Sequence, residues 1–301
     1  MNNTASPGFD IHIIGERINP GFKSTKALFD TQDIAGIQAL AVKQAEAGAA
    51  WLNVNIGARA MTDTEWMATV IRAIQEVTSV PLSFDFPSKK VQEICLRSWD
   101  AAKSGGQLPI VNSITEHRWD LMELYGPFQF KVILMASERV EEVNGAPVAK
   151  GNKTAQQIYE TARRCALRLM REHAMPADDI FIDMSVSALI ADTEQLNRGT
   201  LDAIGLIGRD PDLAGVHMMG GLSNVGQQLP PKAADGSDLK HQLESAFLTL
   251  AVPLGFDTVL GTPWRGYAPL PEDSYVLKAY RNFLEQSGSN ALRAVRKFYK
   301  A

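Results

Sequence analysis

The chain has 301 residues, 45% of them hydrophobic and 21% charged, with a net charge of −4. Such values are ordinary for a globular protein, and the length suits one (β/α)8 barrel of about 250 residues with additions, or two smaller domains. The acidic balance speaks against a nucleic-acid surface, and no apolar run is long enough to span a bilayer.

The N-terminal stretch MNNTASPGFD lacks the basic and hydrophobic regions of a signal peptide, so a cytoplasmic protein is expected. Apolar runs of strand length then recur in chain order: IHIIG (11–15), AWLNVNI (50–56), PLSFDF (81–86), LPIVNSI (108–114), FKVILMA (130–136), DIFIDM (179–184), AGVHMM (214–219) and FDTVLG (256–261). Most of the intervening segments have helical period. After the fifth run, Ile158, Ala162, Cys165 and Leu169 form one apolar stripe. Ala47-Gly48 offers a left-handed helix end, and Pro81 opens a strand where a missing N–H is tolerable. Beyond the last run, a closing helix is expected over Tyr275–Gln286 and a basic helical tail over Asn290–Lys300.

Eight βα units spaced about 35 residues apart fit a closed parallel barrel better than an open sheet. Neither GxGxxG after the first strand nor a P-loop is present. One domain is expected over 1–301, with a core at about 11–268 and a C-terminal helical extension at 269–301. Cys95 and Cys165 lie far apart in helix-like stretches and read as buried thiols. The histidines show neither HxH nor HExxH spacing, so no protein-bound metal is expected.

In such barrels the chemistry sits at the C-terminal strand ends. Those ends carry Glu16, Arg17 and Asn19, then Asn53 and Asn55, Asp85, Asn112 and Ser113, Asp183, and the loop GGLSNV with Asn224. Any one of them could simply cap a helix. Asp85, Asn112 and Asp183, however, fall inside or at the end of apolar runs, where an unsatisfied polar group costs ~1–3 kcal/mol. Asn53 and Asn55 share one strand face, so both look inward or neither does. Carboxylates and amides without a strong nucleophile suit a flat ligand with amide-like and guanidine-like edges, such as a pterin or a purine.

The ordered motifs IIGERIN, LNVNIG, LSFD, PIVNSI, FID and GGLSNV, over about residues 11–265, resemble the methyltetrahydrofolate:corrinoid-protein methyltransferase family. That family shares its pterin-binding barrel with the folate domain of cobalamin-dependent methionine synthase. The resemblance implies a TIM barrel of the pterin-binding type, usually a homodimer. It implies that Asp85, Asn112 and Asp183 hydrogen-bond the pterin of tetrahydrofolate or 5-methyltetrahydrofolate, and that Asn224 is the catalytic asparagine beside N5. Cobalamin would arrive on a separate corrinoid protein, because no DxHxxG-type motif is present.

The chain departs from the family after Asn224, where GQQLP replaces the usual continuation and Pro230 stands where methionine synthase has an arginine. Gln227 and Gln228 are candidates to replace part of that contact. The favoured direction is methylcorrinoid to tetrahydrofolate, as in demethylation systems; the alternative is methyltetrahydrofolate to a corrinoid iron–sulfur protein in acetyl-CoA synthesis. Dihydropteroate synthase would need a basic residue in the loop after strand seven, and none lies between Gly220 and Pro231. A barrel that only binds folate would not need Asn224.

Overall fold

The computed structural model describes residues 8–299. Eight strands close into a parallel barrel: β1 (His12–Ile18), β2 (Trp51–Val54), β3 (Leu82–Asp85), β4 (Ile110–Ile114), β5 (Lys131–Met135), β8 (Ile180–Asp183), β9 (His217–Gly221) and β10 (Thr258–Gly261). Around the barrel the order is β1-β10-β9-β8-β5-β4-β3-β2, with sequence neighbours paired throughout. The eight apolar runs are these eight strands.

Alternation along each strand builds the interior in layers. At the N-terminal end His12, Trp51, Phe181 and His217 pack ring against ring, with Phe181 and His217 stacked at 4.6 Å. Phe181 also belongs to a fully buried apolar plug with Ile14, Ile110, Ile133 and Met219, against which Trp51 and Leu260 pack. Two residues further along the strands the inward positions turn polar: Glu16, Asn53, Asp85, Asn112 and Asp183. The apolar plug makes the barrel a solid core rather than a pore, so the polar layer forms the floor of the mouth.

The outer helices bury the other strand face. They include α2 (Ile34–Glu46), α3 (Thr64–Gln75), α4 (Lys89–Ser98), α5 (Ala155–His173), α6 (Leu196–Ile207) and α7 (Leu239–Ala251), after a short α1 (Lys23–Asp30). Their starts are capped by Asp33, Asp63, Ser88, Thr154 and Asp238 for α2, α3, α4, α5 and α7. Thr154 and Gln157 complete a capping box on α5, whose buried face includes Ile158, Ala162, Cys165 and Leu169. Gly48 follows the end of α2 at φ +90, as the glycine there led us to expect. Both cysteines are buried and unpaired, and burial pushes the Cys165 thiol up to about 11.

Two features extend the sequence reading. The connection after β5 carries an antiparallel hairpin, β6 (Glu138–Val143) and β7 (Ala146–Gly151), that helical periodicity did not foresee. Its turn is Asn144-Gly145, both at positive φ, which matches the twist of a two-residue hairpin. After β10 come α8 (Tyr275–Leu284) and α9 (Gly288–Arg296). They are the expected C-terminal helices, with α8 two residues shorter and α9 beginning two residues sooner and ending at Arg296, so that residues 297–299 form a turn beyond the helix; Lys300, like the N-terminal MNNTASP, lies outside the described residues. No helix among the described residues is long and apolar enough to cross a membrane.

Candidate functional site

Asp85 ends β3 and is half-buried, facing the mouth. Its Oδ2 accepts from Asn53 Nδ2 at 3.1 Å and from Asn55 Nδ2 at 3.2 Å. Asn53 and Asn55 thus share the inward face, as strand alternation requires. Asn53 Oδ1 in turn accepts from Ser83 Oγ at 3.1 Å and from Asn112 Nδ2 at 3.3 Å. Asn112 sits beside Asp85 in register across β3 and β4. The four side chains and Ser83 therefore form one network at the strand ends.

Neither Asp85 nor Asn112 caps a helix. Helix α4, which follows β3, starts on Ser88, and the turn after β4 starts on Thr115. The capping explanation fails for Asp85 and Asn112, and their polar atoms serve the mouth instead.

Asp183 ends β8 and accepts from the backbone N–H of Ser185 at 2.7 Å. Burial pushes its carboxyl up to about 6; the Ser185 N–H opposes this and the charge of Asp85 adds to it. Among the described residues neither Asp85 nor Asp183 has a cation within salt-bridge distance. A buried carboxyl left so exposed to its neighbour's charge is a group held ready for a ligand's donors.

Asn224 follows β9, the neighbour of β8 and the strand across the barrel from β3, at the end of a short 3-10 turn, Leu222–Asn224. It is exposed, and its side-chain amide makes no hydrogen bond among the described residues. The two preceding glycines are there for space. A Cβ on Gly220 would come within 2.9 Å of Val186, and one on Gly221 within 3.3 Å of Asn224 Nδ2. Glu16 anchors this turn: Ser223 Oγ donates to it at 3.1 Å and Thr262 Oγ1 at 2.9 Å, joining β1 to the connections after β9 and β10. Burial pushes the Glu16 carboxyl up, with both hydroxyls acting against it.

The structure therefore links Asp85 to Asn112 through Asn53, sets Asp183 close enough to feel Asp85, and puts Asn224 after β9, beside the strand of Asp183 and across the barrel from that of Asp85. Three contributors escaped the reading of strand ends. Gln92, wholly buried on α4, donates through Nε2 to the carbonyls of Phe84 and Phe86 at 2.8 Å each and of Asn112 at 3.2 Å. It clamps β3 to β4 just where Asp85 and Asn112 emerge. Arg118, beyond β4, donates to Ser113 Oγ at 3.1 Å and brings a cation to the mouth. Ser83 stands two residues before Asp85 on the same face, a spacing that alternation could have flagged. Of the other strand-end residues, Asn19 accepts from Gly21 N–H within its own turn, and Arg17 lies over the Phe22 ring.

A cavity of about 270 Å³ opens beside Asn55 and Asp85, lined also by Ala58, Met61, Phe86 and Ser88. It is slightly smaller than the roughly 300–1,000 Å³ typical of small-molecule sites, room for a ring system with its tail outside. A larger cavity of about 480 Å³ lies on the flank, between Trp99, Leu108 and Phe128, far from the polar strand ends. Among the described residues no cluster of acids, cysteines or histidines could hold a metal ion.

The sequence profile of pterin binding enzymes matches residues 16–260. The chain belongs to that family. As a pterin binding enzyme it has a relative in Eubacterium limosum, a methylcorrinoid:tetrahydrofolate methyltransferase, 25% identical over 256 residues that cover 83% of this chain and 84% of the relative. Among solved structures, a dihydropteroate synthase from Coxiella burnetii superposes with a TM-score of 0.57 at 13% identity, over 92% of this chain and 94% of the other. One from Xanthomonas albilineans gives 0.53 at 18% identity, over 87% and 95%. At that identity these structures speak for the fold of pterin binding enzymes alone.

Proposed function

We propose that this pterin binding enzyme is a methyltransferase that moves a methyl group between a corrinoid protein and N5 of tetrahydrofolate, in the direction methylcorrinoid to tetrahydrofolate. The observation that carries the reading is the sequence of groups around the mouth. Acceptor-rich Asp85, Asn112 and Asp183 run from β3 to β8, and an unengaged amide, Asn224, follows β9, the next strand on from Asp183 and the one across the barrel from Asp85. The relative that transfers methyl groups from methylcorrinoid to tetrahydrofolate supports the same assignment.

In this reading Asp85, Asn112 and Asp183 hold the donor edge of the pterin, and N5 lies towards Asn224. N5 begins with an N–H and a lone pair; once the lone pair has taken the methyl group, N5 is cationic and releases its proton to solvent. A carboxylate or an ammonium in that place would favour one of these states. An amide hydrogen-bonds either one through its oxygen or its nitrogen, which makes Asn224 a positioning and electrostatic group. The methyl group itself would come from the corrinoid on the partner protein, and the corrinoid would keep the electron pair of the bond broken to the methyl carbon.

The mouth rim suits a protein partner. Met61, Val143, Ile190 and Trp264 are exposed apolar side chains on four different connections at this face, after β2, β5, β8 and β10. The reading includes a transient corrinoid-protein complex and a homodimer, both accessible to light scattering.

Isothermal titration with tetrahydrofolate and 5-methyltetrahydrofolate, with dihydropterin pyrophosphate as control, is the decisive experiment. Saturable binding of the folates alone is expected. Binding of the pyrophosphate alone would replace the methyltransferase with a synthase.

A further inference from the structure

The hydrogen bonds around Asp85 have a direction, and it can be followed atom by atom. The Gly57 N–H donates to Asn55 Oδ1 at 2.7 Å, which turns Asn55 Nδ2 towards Asp85 Oδ2. Asn53 Nδ2 donates to the same carboxylate oxygen. With its nitrogen committed to Asp85, Asn53 must present Oδ1 on its far side. There it receives Ser83 Oγ and Asn112 Nδ2.

Asn53 is only 1% exposed, so no bulk water would compensate a wrong orientation. A flipped Asn53 would set an amide oxygen against the carboxylate and an NH2 against that of Asn112, two like-with-like contacts in a buried place. The carboxylate thus dictates the amide of Asn53, and Asn53 dictates that of Asn112. With its NH2 held inward, Asn112 turns Oδ1 to the mouth. Asp85 Oδ1, which has no hydrogen-bond partner among the described residues, is a second acceptor beside it.

We propose that Asn53 is a positioning residue which fixes the polarity of the Asn112 amide, so that this arc of the mouth presents acceptors and selects ring edges bearing N–H donors. A ring carrying a carbonyl at the matching place meets acceptor against acceptor and is rejected, because a site built around hydrogen bonds discriminates most strongly against a ligand that leaves them unmade. The identity of the ring rests on the pterin reading above; the orientation of the amides does not.

The test has two arms. In ligand-free protein labelled at asparagine nitrogens, the side-chain NH2 of Asn112, assigned by its loss in Asn112→Ala, should exchange slowly, and Asn53→Leu should shift it and speed its exchange. In a double-mutant cycle read as tetrahydrofolate affinity, Asn53→Leu should weaken binding about tenfold in the native background and less than about twofold in Asn112→Ala. Equal losses in both backgrounds, or an Asn112 NH2 indifferent to Asn53→Leu, would overturn the proposal. Should Asn53→Leu fail to fold, Ser83→Ala removes one of the two donors that hold Asn53 Oδ1 and should give the same pattern at about threefold. If the NH2 responds as expected but no folate binds to any form, the polarity device stands and the pterin reading falls.

Discussion

At the N-terminal end of the barrel every carboxylate near the axis faces a cation or an imidazole. Lys131 Nζ lies 2.7 Å from Asp179 and 3.0 Å from Asp178, while His217 Nδ1 lies 2.7 Å from Asp257 and Nε2 3.3 Å from Asp178. At the C-terminal end Asp85 and Asp183 face amides and a backbone N–H, with none of the described cations within salt-bridge distance of either. The same residue type closes one end and leaves acceptors open at the other. Charges neutralised in place serve stability. Those kept unneutralised in a half-buried mouth cost the fold something, and a ligand that brings donors recovers it.

Substitutions should separate the two ends, and the largest effect belongs to the mouth. Asn224→Ala should lower the methyl-transfer rate by about 100-fold while folate affinity changes only a few-fold. Single-turnover rates set beside titration make the distinction, and equal losses would reduce Asn224 to a binding group. Asp183→Asn comes next, with folate binding weakened by about 10- to 100-fold, as expected for loss of a charged acceptor.

The same variant carries a pH signature. The folded protein holds the Asp183 proton more tightly than the unfolded chain, whose carboxyl has the ordinary value of 3.8. Its contribution to stability is therefore present below that value and lost as pH rises through about 6. Denaturant melts of the native protein should show this decline, and Asp183→Asn should flatten it. Folate affinity should move in the opposite sense, rising as the carboxyl ionises.

The other end answers with stability alone. His217→Gln should cost about 1–2 kcal/mol near pH 6 and leave folate binding untouched. Burial by itself would lower the imidazole, but Asp257 and Asp178 outweigh it and hold its value above the ordinary 6.5. That stabilisation is complete below the unfolded value and fades as pH rises through the folded one, so the deficit of His217→Gln should shrink at alkaline pH. A loss of folate binding in this variant would erase the distinction between the ends.

The smallest effect concerns the hairpin. Glu116 accepts from the Val140 N–H at 2.7 Å and from Arg164 at 2.8 Å, pinning β6 against the connection after β4 and against α5. Glu116→Ala should speed amide exchange along Glu138–Val143 with less than about 1 kcal/mol lost overall.

Much of this was legible beforehand because it repeats along the chain. Strand runs, the stripe on α5 and the glycine ending α2 each depend on residues a few positions apart. The polar strand ends were visible too, since Asp85 and Asp183 interrupt apolar runs. The hairpin was less so. Asn144-Gly145 is a strong turn signal, but strands reading ERVEEV and APVAKG have no buried face to announce them.

Periodicity in the chain was enough to specify the elements, their alternation and the type of side chain at each strand end, because those follow from local sterics and from the separation of apolar from polar surface. Folding had to decide the rest. Strand order set Asp183 within reach of the Asp85 charge, and closure of the barrel brought Glu16 to Thr262 across 246 residues. Only the packed network gave the Asn112 amide its direction, since a hydrogen bond's polarity depends on partners from other strands, and a carboxyl's proton affinity on how much water those strands leave around it.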